Sequence, residues 1–200
     1  MRLTLPILAC TLSLTATLVA AKKAQDSHLW LFSAQWTKNT KMSPQPDHIV
    51  SIESVDKFCI LLPAKPNVDI PISEAEGGAK SFCTPKAFSD PSQGQFPDGF
   101  WSNVEVKSGK GPKGGNYIQM TGCFRREKLG LNPGDEGGQY SPAGAPKNTQ
   151  CIGYDHYVEL VEPAENRACL RCCQQLADCP VNKATQGCEA VIPGNYFDCN

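Results

Sequence analysis

Cysteine content constrains this chain more than any other feature of its sequence. The stretch NRACLRCCQQLADCPVNKATQGC, residues 166–188, holds five of the eleven cysteines within 23 residues. Cysteines at this density are metal ligands, a redox centre or disulfide partners, and the cellular compartment largely decides among these roles. The structural interpretation therefore depends first on whether the chain is exported.

The first residues, 1–21, have the pattern of a secretory signal peptide. Arg2 precedes an uncharged, mostly apolar run, and Val19 and Ala21 supply the small residues expected before a cleavage site. The alternative is a membrane anchor, but a proline and several hydroxyl residues interrupt the run, which is barely long enough to cross a bilayer. We predict cleavage before Lys22, export, and no membrane association of the mature chain.

Export changes how the cysteines are interpreted. Removing the leader removes Cys10 and leaves an even number, and an even number in an oxidising compartment predicts complete pairing. We therefore expect five disulfide bridges, whose connectivity the sequence leaves open, among Cys59, Cys83, Cys123, Cys151, Cys169, Cys172, Cys173, Cys179, Cys188 and Cys199.

Metal and redox roles fit the cysteine spacing less well. Cys169-x-x-Cys172 could be half of a zinc site, but Cys179 and Cys188 do not repeat the spacing and no histidine is near. A thioredoxin-like pair would require a βαβ pattern that is absent here. We predict structural disulfides, no metal site and no cofactor.

The charge balance argues against one class of partner. Without Arg2 of the leader, 18 basic residues face 20 acidic ones. A net charge near −2 provides no broad positive surface, so nucleic-acid binding is not expected.

The pattern of the remaining chain is typical of a mainly β, loop-rich domain, residues 48–200, preceded by an N-terminal arm, residues 22–47. Alternating β-forming residues at 99–106 and 116–124 flank the loop KSGKGPKGG and predict a β-hairpin. DHYVELVE, residues 155–162, predicts a strand. Residues 163–173 fit either a helix with a cysteine stripe or, as we favour, the turn and return strand of a hairpin.

Candidate catalytic residues are few. His156 follows Asp155 beside the predicted strand, and Asp135 lies in the long glycine- and proline-rich insert, residues 132–148. Neither belongs to a known metal or nucleophile motif. A site built from His156 and Asp135 would require the two side chains to meet in the fold.

Candidate binding residues lie beside the predicted turns and loops. Aromatic side chains in such positions form sugar-stacking platforms or protein hot spots, although a small β domain also needs large rings for its core. Lysines in the glycine-rich hairpin loop could contact an anionic surface. The candidates are Phe100, Trp101, Tyr140, Lys110 and Lys113.

Several stretches together resemble a family of fungal secreted cysteine-rich proteins. They include KFCILLPAKP, FPDGFW, GGNYIQMTGC, LNPGDEGGQY and GYDHYVELVEPAENRACLRCC, and the similarity spans residues 49–200. The resemblance implies an extracellular fungal setting, such as the cell wall or a host interface. The family has no established activity, so the resemblance implies no catalytic residues.

These observations favour a secreted, disulfide-stabilised binding protein over an enzyme. Long loops on a rigid frame are a recurrent arrangement for binding, and the expected ligand is a cell-wall polysaccharide or a host protein. The alternative is a secreted hydrolase acting on polysaccharide.

Overall fold

The computed structural model describes residues 44–144 and 146–199. The predicted signal peptide and residues 22–43 of the predicted arm lie outside this part of the chain. The described residues form two five-stranded sheets with long loops, and the fold contains five disulfides among these residues. The prediction of a mainly β, disulfide-rich fold is confirmed.

The first sheet is built around a strand that is buried on both sides. Its strands are β1 Ile49–Ser54, β2 Lys57–Pro63, β3 Ala79–Cys83, β4 Gly94–Gln95 and β8 Gln150–Cys151. They lie in the order β4-β3-β2-β1-β8, with β2 antiparallel to both neighbours. The sequence of β2, KFCILLP, is almost uninterruptedly apolar, which is typical of a strand that is covered on both faces.

The second sheet contains both hairpins expected from the sequence. Its strands are β5 Trp101–Lys110, β6 Asn116–Phe124, β7 Gly138–Tyr140, β9 His156–Glu162 and β10 Arg167–Cys173, in the order β5-β6-β10-β9-β7. The β5–β6 hairpin is confirmed, but β5 continues to Lys110, four residues beyond the predicted end. Gly109 permits this extension, because a Cβ atom there would lie 2.8 Å from the hydroxyl oxygen of Tyr117 on β6.

Residues 163–173 form the turn and return strand of a hairpin rather than a helix. The N–H of Asn166 donates to the carbonyl of Pro163 (3.1 Å), closing the turn between β9 and β10. Asn166 has φ of 53°, a left-handed conformation that asparagine tolerates better than most residues. The favoured interpretation is confirmed.

Helical structure is short and peripheral in the described residues. The α-helices are α1 Ile70–Ser73 and α2 Gly187–Val191, and four 3₁₀ turns occupy Pro46–His48, Arg126–Lys128, Leu176–Asp178 and Ala184–Gln186. None of the described helices is long and apolar enough to cross a membrane.

Because side chains alternate along a strand, the cysteines of β10 lie in two different apolar clusters. Ala168, Leu170 and Cys172 lie in the main core, which both sheets share. Cys169 and Cys173 lie in a second apolar cluster on the other face, together with residues of the C-terminal segment, 174–199. Because successive side chains of a strand point to opposite faces, one cysteine-rich strand can anchor two separate layers.

The disulfide pattern follows this division. Cys151–Cys172 joins the two sheets through the main core, and Cys59–Cys83 joins the neighbouring strands β2 and β3. The other three bridges fix the C-terminal segment on the outer face of the second sheet: Cys123–Cys199, Cys169–Cys188 and Cys173–Cys179. All ten cysteines predicted to pair are paired.

Candidate functional site

A cleft of about 630 Å³ opens beside β7, at one edge of the second sheet. Four segments that are distant in the sequence meet there: α1, the chain around β7, the ends of β9 and β10, and the turn before α2. We call it the acidic cleft, and its polar lining includes Glu74, Glu136, Gln139, Glu162 and Arg167.

Two glycines allow the chain to form the β7 wall of the acidic cleft. At Gly137, φ is 105° and a Cβ atom would lie 2.2 Å from the carbonyl oxygen of Val161. At Gly138, a Cβ atom would lie 3.0 Å from Cγ2 of Ile70. The positive φ of Gly137 and the close approach at both glycines allow the wall to pack against β9 and α1 together.

Asp135 anchors the same wall from inside the protein. Its buried carboxylate accepts hydrogen bonds from the N–H groups of Ile70 (2.7 Å) and Gly137 (2.9 Å), one on each oxygen. Its own carbonyl oxygen accepts a third, from the N–H of Ala164 (2.8 Å). Asp135 therefore ties α1, β7 and the β9–β10 turn together, and its carboxylate is occupied by the backbone.

Glu74 contributes a partly buried carboxyl group to the cleft. Removal from water raises the pKa of Glu74, and this effect outweighs the opposing hydrogen bond from the N–H of Gln139. Glu74 consequently keeps its proton to higher pH than an exposed glutamate does. In its protonated form Glu74 can donate a hydrogen bond to a ligand as well as accept one.

Arg167 and Glu162 line the cleft from the ends of β10 and β9. The Nε of Arg167 donates to the carboxylate of Glu162, and its Nη1 donates to Glu189 (2.7 Å). The other oxygen of Glu162 accepts the N–H of Cys188 (3.1 Å), next to a glycine that leaves room for it. Burial disfavours the charge on Arg167, but the Glu162 hydrogen bond and charge prevail and raise the pKa of Arg167.

Gln139 adds a polar side chain to the lining of the cleft. Its Nε2 donates to the carbonyl of Val181 (3.0 Å), which attaches β7 to the C-terminal segment. Its Oε1 is buried and has no hydrogen-bond partner within the described part of the chain. The hydrogen bond to Val181 therefore fixes the orientation of the Gln139 side-chain amide.

The lining of the cleft favours recognition of a polar ligand. Glu74 and Glu136 are the two lining carboxylates that carry no ion pair in the structure, whereas Glu162 is held by Arg167 and the backbone. No aromatic side chain, histidine or cysteine belongs to the described lining. Among all described residues, no group of three histidine, cysteine, aspartate or glutamate side chains could hold a metal ion.

The structure separates the two candidate catalytic residues. His156 begins β9, whereas Asp135 lies beside the turn that follows the other end of this strand. Seven residues of extended chain place these ends roughly 20 Å apart. His156 and Asp135 do not meet, and Asp135 has its backbone-bonded role instead.

The aromatic candidates are part of the core. Phe100 and Tyr140 are fully buried, so neither can contact a ligand at the surface. Phe100 is stacked on the ring of Phe124 (5.2 Å between centroids), and the hydroxyl of Tyr140 is 2.5 Å from that of Ser73. Trp101 is half-buried and makes edge contacts with the same rings. These aromatic side chains fill the core instead of forming a binding surface, because a small β domain has to bury its large rings.

The two lysine candidates lie at the opposite edge of the sheet from the cleft. Lys110 ends β5 and Lys113 lies in the hairpin loop, both exposed. The loop is folded around the buried Asp178, whose carboxylate lies 2.0 Å from where a Cβ of Gly111 would be. The lysines are therefore presented on a tightly held loop, remote from the acidic cleft.

Sequence reasoning did not identify the residues of the cleft. Glu74 lies in a loop without a motif, and Glu162 and Arg167 were assigned to a structural hairpin. The sequence did contain a signal for the β7 wall in the adjacent glycines Gly137 and Gly138. Glycines beside a short strand indicate that another segment approaches the backbone closely there.

Comparison of the chain with protein-family models, with curated proteins and with solved structures finds no significant match, so its function is argued from the cleft alone.

Proposed function

We propose that this chain is a secreted, disulfide-stabilised protein that binds a polyhydroxylated ligand, such as a cell-wall polysaccharide, in the acidic cleft. The observation that carries the proposal is the cleft of about 630 Å³ whose lining combines carboxyl, amide and guanidinium groups. Sugars are held by arrays of such groups, because each hydroxyl both donates and accepts hydrogen bonds.

The walls of the cleft are rigid, which supports a binding role. The Cys169–Cys188 bridge fixes the turn before α2 to β10, and Asp135 fixes the β7 wall through its backbone hydrogen bonds. A site whose groups are already in place loses little conformational entropy when a ligand binds. The five disulfides fit an extracellular setting.

One carboxyl group of the cleft, that of Glu162, is not available for catalysis. Hydrolysis of a glycosidic bond generally requires two carboxyl groups that are free to act on opposite sides of the bond, so only Glu74 and Glu136 remain for that role among the described lining residues. Glu162 accepts hydrogen bonds on both oxygens and is almost completely buried, so it serves as a structural group. Its ion pair with Arg167 instead keeps that guanidinium at the cleft wall.

The test is recovery of the secreted protein on insoluble chitin and insoluble β-glucan. We expect wild-type protein to bind one of them, and the Glu74→Ala/Glu136→Ala variant to bind about tenfold more weakly through loss of hydrogen bonds. Glu53→Ala is the matched control, because Glu53 is an exposed glutamate on the other sheet. It should bind like wild type.

Two outcomes would contradict parts of the proposal. No recovery on any wall polymer would remove polysaccharide as the ligand and leave a host protein as the partner to seek. Recovery that is equal for wild type and for the double variant would mean that binding occurs outside the acidic cleft.

One observation favours the second candidate, a polysaccharide hydrolase. The raised pKa of Glu74 is a property of general acids in glycosidases, and Glu136 would have to act as the base. This candidate predicts release of new reducing ends from β-glucan or chitin oligomers. Glu74→Gln should abolish the release while leaving substrate binding nearly unchanged.

A further inference from the structure

The strand β5 has a long unpaired edge. It ends the second sheet, and on its outer side no strand of the described residues pairs with it. The other sheet-edge strands, β4, β7 and β8, have two or three residues each, whereas β5 has ten. A long row of free N–H and C=O groups is a template for another strand.

Alternate residues direct their backbone groups to this free side. The N–H of Gly111 donates to the carbonyl of Gly115 (2.9 Å) at the start of the β5–β6 ladder. Because hydrogen-bonded and non-bonded pairs alternate along an antiparallel ladder, the odd-numbered residues of β5 bond to β6. Val104, Val106 and Ser108 consequently present their N–H and C=O groups outward.

We propose that β5 pairs with β5 of a second copy of this chain, antiparallel and centred on Val106. In this register Val106 exchanges hydrogen bonds with Val106 of the other copy, and Val104 does so with Ser108. Glu105 of each copy lies opposite Lys107 of the other. These charged residues occupy non-hydrogen-bonded pairs, in which facing side chains are closest.

Charge selects this register over its neighbours. Successive side chains of a strand point to opposite faces of the sheet. Only registers that pair odd-numbered residues with odd-numbered residues therefore place side chains of the same sheet face opposite each other. Centring the pair on Glu105 would set two glutamates opposite each other, and centring it on Lys107 would set two lysines opposite each other. Centring it on Val106 extends the Glu105–Lys107 pair of each chain (2.9 Å) into a row of four alternating charges.

The inner face of β5 also favours a second copy of this chain as the partner of this edge. Val104 and Val106 are only partly buried against the main core, so apolar surface remains at this edge. Pairing around Val106 would bring the two Val106 side chains into contact and shield both from water. β-Branched residues facing each other across a strand pair are stabilising.

The resulting dimer would have one continuous ten-strand sheet with an acidic cleft at each end. With neighbouring strands about 4.8 Å apart, the two β7 strands would be separated by on the order of 40 Å. Two clefts on one rigid sheet would bind a polymer with avidity. The dimer itself does not depend on the proposed function of the cleft.

The first experiment is sedimentation velocity of the oxidised mature protein over the widest concentration range that it tolerates. We expect a reversible monomer–dimer equilibrium. Val106→Pro removes an outward N–H and no bond to β6, so it should yield a monomer with unchanged near-ultraviolet circular dichroism. Val106→Thr keeps the N–H and is the matched control that should still dimerise.

The register is tested by charge exchange. Glu105→Lys and Lys107→Glu should each weaken the dimer by about tenfold, because like charges then face each other twice. An equimolar mixture of the two variants should form a heterodimer, since every facing pair is again opposite in charge. Recovery in the mixture also shows that both variants are folded.

Either of two results would overturn the proposal. Wild-type protein that stays monomeric at every concentration would mean that this edge has no second copy as its partner. A dimer that survives Val106→Pro would place the interface elsewhere. The same conclusion would follow if a mixture of the Glu105→Lys and Lys107→Glu variants did not regain dimer formation.

Discussion

Replacing Glu159 should change how the stability of this protein depends on pH. Glu159 lies on β9 and is completely buried between the two sheets. One carboxyl oxygen accepts the N–H of Leu61 on β2 (3.1 Å), and the other has no partner among the described residues. Burial raises the pKa of Glu159 well above that of an exposed glutamate, and this effect outweighs the opposing hydrogen bond from Leu61.

The sign of the effect follows from proton linkage. In the folded protein Glu159 keeps its proton over a pH range in which the unfolded chain has already lost it. The stabilisation that protonated Glu159 gives to the folded state is therefore complete below the pKa that Glu159 has in the unfolded chain. It declines as the pH rises toward the pKa of Glu159 in the folded protein. Within that window the free energy of unfolding should fall by about 1.4 kcal/mol for each pH unit.

The assay is guanidinium unfolding with intact disulfides, at pH values one unit apart between about 5 and 7. Glu159→Gln keeps the shape and cannot ionise, so the stability of the variant relative to wild type should rise by about 1.4 kcal/mol per pH unit. Glu53→Gln, on the exposed part of β1, is the control: it retains Glu159, so its stability should keep the pH dependence that Glu159 gives to wild type. Parallel pH profiles for wild type and Glu159→Gln would refute the reasoning, because Glu159 would then be ionised in the folded state.

Three further variants test the contributions of one disulfide and of the cleft wall by unfolding measurements. Replacing both Cys123 and Cys199 with alanine opens a loop closed across a sequence separation of 76 residues and should lower the free energy of unfolding by about 4 kcal/mol; an unchanged denaturant midpoint would contradict this. Asp135→Ala leaves two N–H groups without their carboxyl acceptor and should cost about 3 kcal/mol, with loss of any cleft ligand. Gly137→Ala introduces strain at φ of 105° and a clash with the carbonyl of Val161, so we expect a low yield of folded protein and a loss of about 3 kcal/mol or more; a wild-type melting temperature would show that the wall can move.

The sequence contained strong local information about strands and turns. The β5–β6 hairpin was predictable because β-forming residues flank a glycine-rich loop. The β9–β10 turn was predictable from residues 163–166 between two apolar runs. The spacing of Cys169, Cys172 and Cys173 also indicated bonding in two directions, since residues of unlike parity on a strand face opposite sides.

Residue type alone could not decide which aromatic side chains would be exposed. Phe100 and Tyr140 lie next to turns, where sequence reasoning placed a binding surface, yet both are fully buried. A turn positions the backbone at the surface, while the direction of each side chain depends on which face of the strand the other sheet covers. That choice is made by packing between segments far apart in the sequence.

Composition and local pattern determined the class of this protein: a mainly β frame with ten paired cysteines, and strands bounded by glycine, proline and asparagine turns. These properties are local because strand alternation and turn conformation depend on near neighbours. The tertiary structure alone decided the disulfide partners, the joining of Glu74, Gln139, Glu162 and Arg167 in one cleft, and the position of β5 at a sheet edge that no described strand covers. Each of these depends on the order of strands in a sheet, and strand order is set by long-range burial that no short stretch of sequence encodes.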